Sequence, residues 1–238
     1  MHRKLKSVNL SHNKLTFFPI EIINSIRTLE HINLSNNRIQ FISQGDFSNM
    51  PKLKTLELQN NQITEIESKS FENSTQLQWL YLQNNQISGL NEKTFTGIAR
   101  LNLDISSNNL TFLPGDLFNR HTNVFQLESI NLARNQFNQL PTTALKKQYS
   151  FLERVNLSRN RIVNLPSNSD VLVNVKELDL SFNPLSNEAH SVLFGEPKSV
   201  RKLYVSGANI ETLPTVIESP FLKELNLSNN NISKIKST

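Results

Sequence analysis

One spacing dominates the chain: Leu, two residues, Leu, one residue, Leu, two residues, Asn, one residue, then Leu or another aliphatic. It begins at Leu5-Val8-Leu10-Asn13-Leu15, Leu29-Ile32-Leu34-Asn37-Ile39, Leu53-Leu56-Leu58-Asn61-Ile63 and Leu77-Leu80-Leu82-Asn85-Ile87. A fifth copy, Leu103-Ile105-Asn108-Leu110, has Arg100 at the place of its first Leu. Leu127-Ile130-Leu132-Asn135-Phe137, Leu152-Val155-Leu157-Asn160-Ile162 and Val175-Leu178-Leu180-Asn183-Leu185 follow. The ninth, Val200-Leu203-Val205-Ala208-Ile210, lacks the Asn, and the tenth is Leu222-Leu225-Leu227-Asn230-Ile232. Ten copies lie 22–27 residues apart. A unit this short cannot bury its aliphatic residues alone, so the copies must stack into one array in which each coil covers the next.

The local chemistry of the unit follows. Within Leu-x-Leu the middle residue points outward, so the segment reads as a short strand with its leucines turned in. The chain then turns, and the Asn amide has donors and an acceptor for turn backbone that cannot reach water. Asn13, Asn37, Asn61, Asn85, Asn108, Asn135, Asn160, Asn183 and Asn230 form a ladder on this reading, each rung being worth about 1–3 kcal/mol. Ala208 is a missing rung, and Leu203 and Val205 hold the register against Asn209 turning inward. On the return leg Phe47, Phe71, Phe95 and Phe118 recur at the repeat period, which points to core packing on the convex side. Leu145, Asp170, Leu193 and Glu218 take that place later, so the back wall becomes irregular, and residues 119–126 read as an insertion in a loop. The predicted fold is an α/β leucine-rich repeat solenoid, a right-handed horseshoe forming one array over 1–238. Short parallel strands line its concave face, and irregular, 3-10 or short helical segments its convex side. Ten strands at about 4.8 Å would span about 45 Å.

Composition narrows function. Six glycines are few for a protein built on tight glycine turns, and there is no cysteine for a disulfide, thiolate metal site or thiol nucleophile. The net charge of +5 is scattered, which gives no expectation of nucleic-acid binding. No apolar run spans a membrane and the N-terminal MHRKLKSVNLSHNK has no signal-peptide core, so any membrane link is expected through parts outside this sequence. Neither end carries a recognisable cap, which reads as an internal fragment of a longer array. His12 and His31 have no third partner for a metal, and no HExxH, GxSxG or phosphate-binding glycine loop is present. The chain is therefore read as non-enzymatic, with no cofactor and no metal.

Binding residues are sought in the slot between the two inward leucines, which the core leaves free to vary. It holds Asn9, Asn33, Glu57, Tyr81, Asp104, Asn131, Asn156, Asp179, Tyr204 and Asn226. Trp79, the only Trp, lies two residues before Tyr81 and points the same way, so the pair is the first candidate for a hot spot. A second is the cluster Arg134, Arg154 and Arg159, with Glu128 and Glu153 as alternative ion-pair partners. Phe182 and Tyr204 form a third. The expected ligand is a protein on the concave face, homophilic binding included.

The segment LSNNRIQFISQGDFSNMPKLKTLELQNNQITEIESKSF resembles the roughly 24-residue typical class of extracellular leucine-rich repeats. With LDLSFNPLS, the array looks most like chaoptin-type adhesion proteins and Toll-like receptor ectodomains. The first resemblance implies cell adhesion and the second ligand recognition by an innate immune receptor, both at the outer side of the plasma membrane. The Leu-Pro steps in NQLPTTAL and VNLPSN also occur in cytosolic leucine-rich scaffolds. Of the sequons at Asn9, Asn33, Asn73, Asn109, Asn156, Asn226 and Asn231, most are generated by the repeat itself. Asn73 owes nothing to the repeat and is the candidate glycan site.

Overall fold

The structure, a computed structural model, describes residues 4–23, 25–48, 50–118, 125–148, 150–167, 175–195 and 198–235. One strand opens each coil. These are β1 (Ser7–Asn9), β2 (His31–Asn33), β3 (Thr55–Glu57), β4 (Trp79–Tyr81), β5 (Arg100–Asp104), β6 (Gln126–Asn131), β7 (Arg154–Asn156), β8 (Glu177–Asp179), β9 (Lys202–Tyr204) and β10 (Glu224–Asn226). They pair in chain order as a single ten-stranded parallel sheet. Parallel strands joined by crossovers coil right-handedly. The register keeps each inward residue beside its counterpart, as in Ile32 with Leu56 and Leu56 with Leu80. The return legs hold two-residue strand pairs, Phe41–Ile42 with Glu65–Ile66 and Thr212–Leu213 with Lys234–Ile235. Short helical pieces lie at Ile20–Ile23, Thr142–Leu145, Lys146–Gln148 and Asn187–Gly195.

The fifth coil corrects the sequence register. Leu101, not residue 100, fills the first core slot and is fully buried beside Leu127. The unit is one residue short, so Glu128 has no counterpart and the pairing steps from Leu101–Leu127 to Asn102–Ser129 across a bulge. Arg100 is thereby left outside, its Nε 3.0 Å from the Glu128 carboxylate.

The Asn ladder holds the turns together as read. Asn61 Nδ2 donates to Leu34 O and Leu58 O, both at 3.0 Å, and its Oδ1 accepts from Ile39 N at 3.0 Å. Each rung thus ties its own coil to the preceding one. The same pattern recurs at Asn37, Asn85, Asn108, Asn135, Asn160 and Asn183. Asn13 bonds only within its coil, to Leu10 O and Ser11 O. Asn230 reaches back to Val205 O at 2.8 Å and accepts from Ala208 N and Ile210 N. At the missing rung Asn209 stays exposed. The turn is retied instead by Leu185 N donating to Asn183 O at 2.9 Å. The buried His190 of the Asn187–Gly195 helix also brings Nε2 to 2.9 Å from Ala208 O.

Phenylalanines fill the back wall. Phe47, Phe71, Phe95 and Phe118 stack with centroids 5.7, 6.1 and 5.9 Å apart. Phe18 and Phe125, which the period did not single out, extend the stack at 4.4 and 5.8 Å. Leu145 and Leu193 continue the wall, fully buried, whereas Glu218 is exposed; Asp170 and most of the 119–126 insertion lie outside the described residues.

A further regularity runs along the turns. The residue before each ladder position has left-handed backbone, from His12 (φ 56°) through Asn36, Asn60, Asn84, Ser107, Arg134, Arg159 and Phe182 to Gly207 and Asn229 (φ 55°). Asn and Gly accept that conformation most readily, which accounts for the Asn-Asn doublets in the sequence.

Candidate functional site

The slot between the inward leucines is less free than its variety suggests. Asn9, Asn33 and Asn156 accept both the amide and the hydroxyl of the Ser two residues on, and Asp104 does the same with Ser106. Asn131, Asp179 and Asn226 accept the corresponding amides of Ala133, Ser181 and Ser228. Seven of the ten slots are therefore Asx turns that close the strand. Glu57, Tyr81 and Tyr204 break this rule. Glu57 turns to its own wall, accepting from Asn33 Nδ2 at 3.0 Å and Gln59 Nε2 at 3.2 Å. The two tyrosines do something else.

Tyr81 and Tyr204 stand at opposite ends of one concavity of about 280 Å³. Its lining includes Trp79, Asp104, Asn131, Arg154, Glu177 and Asp179. The structure thus brings together Trp79, Tyr81, Asp104, Arg154 and Tyr204, five of the residues singled out from sequence, from coils 4 to 9. Trp79 is exposed, at 40 %, and shares the groove with Tyr81 as alternation requires. Three carboxylates, Asp104, Glu177 and Asp179, face a single lining cation, Arg154. Partial burial, with Glu57 and Asp104 beside it, raises the Tyr81 phenol. Partial burial, donation to Glu224 Oε1 at 3.0 Å and the neighbouring Glu177 and Asp179 push Tyr204 up to about 12. Both phenols stay neutral at ordinary pH, apolar faces carrying a hydroxyl.

The arginine cluster does not form as read. Arg154 lies on strand β7 in the groove, but Arg134 and Arg159 occupy left-handed turn positions beyond the strands. Phe182 is at the next such position, and the Arg159 guanidinium lies 4.2 Å from its ring centroid. Phe182 therefore belongs with Arg159 and not with Tyr204. The two glutamates pair elsewhere, Glu128 with Arg100 and Glu153 with Lys176. His12 falls in a turn beside Asn36, 3.4 Å away, beyond the end of β1, so it is not on the strand next to the one that His31 opens.

Charged residues at the strand entrances build a separate ladder. Glu30 lies between Lys6, at 2.9 Å, and Lys54, at 2.7 Å. Hydrogen bonds from Lys54 and then Lys6 hold its carboxyl down at about 2. The group's folded value lies below its unfolded one, so its contribution is complete above the usual carboxylate range and is lost as pH falls through about 2. A carbon-detected NMR titration should show Glu30 protonating near pH 2; a midpoint at the ordinary value near 4.5 would mean that the two lysines do not hold it.

Leucine rich repeat profiles match residues 3–63, 51–110, 171–192 and 218–234. The chain belongs to the leucine-rich repeat family. Among solved structures it is similar to TLR13 in its complex with the single-stranded RNA ssRNA13, with 28 % identity over 95 % of this chain and a TM-score of 0.75. It shares the fold of Toll from the Drosophila Toll–Spätzle complex, with 21 % identity over 97 % of this chain and a TM-score of 0.72. It shares it also with the leucine-rich repeat domain of APL1B, with 22 % identity over 96 % and a TM-score of 0.70. The chain spans about a third of the two receptor chains, 31 % and 36 %, and 63 % of APL1B. No curated protein sequence matches it.

Proposed function

We propose that this array is part of the ligand-recognising ectodomain of a cell-surface receptor, and that it binds a protein partner, without catalysis, in the groove between Trp79–Tyr81 and Tyr204. The observation that carries the reading is the departure of Tyr81 and Tyr204 from the Asx turns of neighbouring coils. Both give up a turn-closing bond, and both line the same concavity with the only Trp. Large aromatics around a polar centre are the residues that dominate protein interfaces. The likeness to TLR13 supports a receptor over the chaoptin-type adhesion reading, which rests on the repeat class alone. TLR13 was crystallised with RNA, but three carboxylates against one arginine make this groove repel phosphate and favour a partner with a basic side chain.

The test begins with a random peptide library panned on the protein. Enriched peptides are expected to change the fluorescence of Trp79, the sole Trp, and to carry Lys or Arg. Trp79→Ala combined with Tyr81→Ala should weaken them by more than about 2 kcal/mol, roughly thirty-fold. Undiminished affinity in the folded double variant moves the site elsewhere. The outer-surface assignment has its own check. Asn73 is exposed on the return leg, away from the strands, and its sequon is completed by the exposed Thr75. Protein secreted from eukaryotic cells should carry an Asn73 glycan that Asn73→Gln removes, read as a shift in mass; an unmodified Asn73 would count against this assignment.

A further inference from the structure

The turns that leave the strands in coils 5–8 carry a second surface, outside the groove and of opposite sign. Residues 106–112, 133–139, 158–164 and 181–187 contain Arg134, Arg159 and Arg161 and no acidic residue. All three arginines are exposed, and among the described residues none joins an ion pair. Their backbone is the one that every coil uses there, but their side chains are not. Coils 2, 3, 4 and 10 place Asn at the left-handed position, whereas Arg134 (φ 54°), Arg159 (φ 56°) and Phe182 (φ 57°) hold it with long or bulky side chains. Strain of this kind collects where a surface has a task.

Packing then fixes one of the cations. The Arg159 guanidinium lies over one face of Phe182, 4.2 Å from its centroid. On the following coil Gly207 has φ +58°, and a Cβ there would sit 2.7 Å from Phe182 Cδ1. Only glycine admits this ring position. The stack Arg159–Phe182–Gly207 holds the exposed guanidinium over the ring, beside Arg134 on one neighbouring turn and Arg161 on its own.

We propose that Arg134, Arg159 and Arg161 form a docking surface for an acidic segment of a protein partner, whose carboxylates pair with the guanidinium forks. The planar fork matches a carboxylate in bidentate fashion. A single-stranded nucleic acid would need a free aromatic face on which to stack a base. Here Phe182 spends one face on Arg159 and its Cδ1–Cε1 edge on Gly207, so the ring orients a cation instead of receiving a base. This surface stands or falls independently of the groove.

A dye-labelled octaglutamate peptide, followed by fluorescence polarisation at low and at physiological salt, is the probe. The triple Arg→Gln variant at 134, 159 and 161 is expected to bind it at least ten-fold more weakly than the parent. Arg159→Lys, which keeps the charge, and Phe182→Leu, which removes the stack, should each lose several-fold. The Trp79/Tyr81 double variant should bind as the parent does. Circular dichroism verifies that each variant is folded, and these exposed side chains carry none of the core. The proposal is overturned if octaglutamate does not bind, if the triple variant binds it equally, if Arg159→Lys is silent so that charge alone suffices, or if an octauridylate binds these arginines more tightly than the peptide.

Discussion

Phe71→Ala is expected to destabilise the array by about 4 kcal/mol. Phe71 is fully buried, and its ring is sandwiched between Phe47 at 5.7 Å and Phe95 at 6.1 Å. Removing the ring leaves a void that the two neighbours cannot close, because strand pairing on the opposite side fixes the spacing of coils 2, 3 and 4. Close-packed interiors that cannot relax pay both the transfer term and the cavity term. Phe71→Leu fills most of the space and should cost about a third as much. Urea unfolding followed by circular dichroism measures both. Because each coil touches only its neighbours, the Ala variant should also unfold less cooperatively, coils 1–2 separating from the rest with a lowered m value. A loss under about 1.5 kcal/mol would show that the phenylalanine wall fills space without bearing on the coil-to-coil interface.

The periodic parts of this molecule were readable because repetition turns a weak local signal into a strong one. A lone Leu-x-Leu is ambiguous, but ten in step fix strand, register and inward face together. The Asn ladder and the Phe47–Phe118 wall followed from the same period. Departures from the period were harder to read. Leu101 could be recognised as the true core residue only once a one-residue deficit was allowed, and the bulge at Glu128 that absorbs it has no sequence mark. Arg134 and Arg159 share the sixth and seventh copies with Arg154, yet strand alternation has ended by their positions and the left-handed turn carries them beyond the strands. The Asx turns do have a mark in the sequence: six of the seven Asn or Asp slots are followed by Ser two residues on, Asn131 by Ala133, whereas Glu57 and Tyr81 are followed by Gln59 and Gln83. The joining of Tyr81 with Tyr204 needed the curvature of the wall, which no linear spacing reports.

Asn61→Ala should cost about 3 kcal/mol, and Asn61→Asp should cost more at neutral pH although it is nearly isosteric. The Ala variant strands the buried Ile39 N and takes one of two donors from each of Leu34 O and Leu58 O, which keep Asn37 Nδ2 and Asn85 Nδ2. Coil 9 lives without its rung because Leu185 N turns to Asn183 O and His190 Nε2 meets Ala208 O. Coil 3 has no such helix behind it; its return leg is the two-residue strand Glu65–Ile66. The Asp variant keeps the acceptor for Ile39 N but replaces both donors with anionic oxygen facing two carbonyl oxygens, at a position only 8 % exposed. Burial and those carbonyls favour the protonated acid, so the folded pKa of the introduced carboxyl lies above its unfolded value of about 3.9. The sign follows: the folded form binds the proton more tightly, so the penalty is full above the raised folded pKa and shrinks as pH falls towards about 3.9. Stability curves for the two variants should therefore converge, or cross, on acidification, with the parent as reference for the carboxylates common to all three. Parallel curves, or an Asp variant as stable as the parent at pH 7, would mean that the amide donors do not carry the ladder.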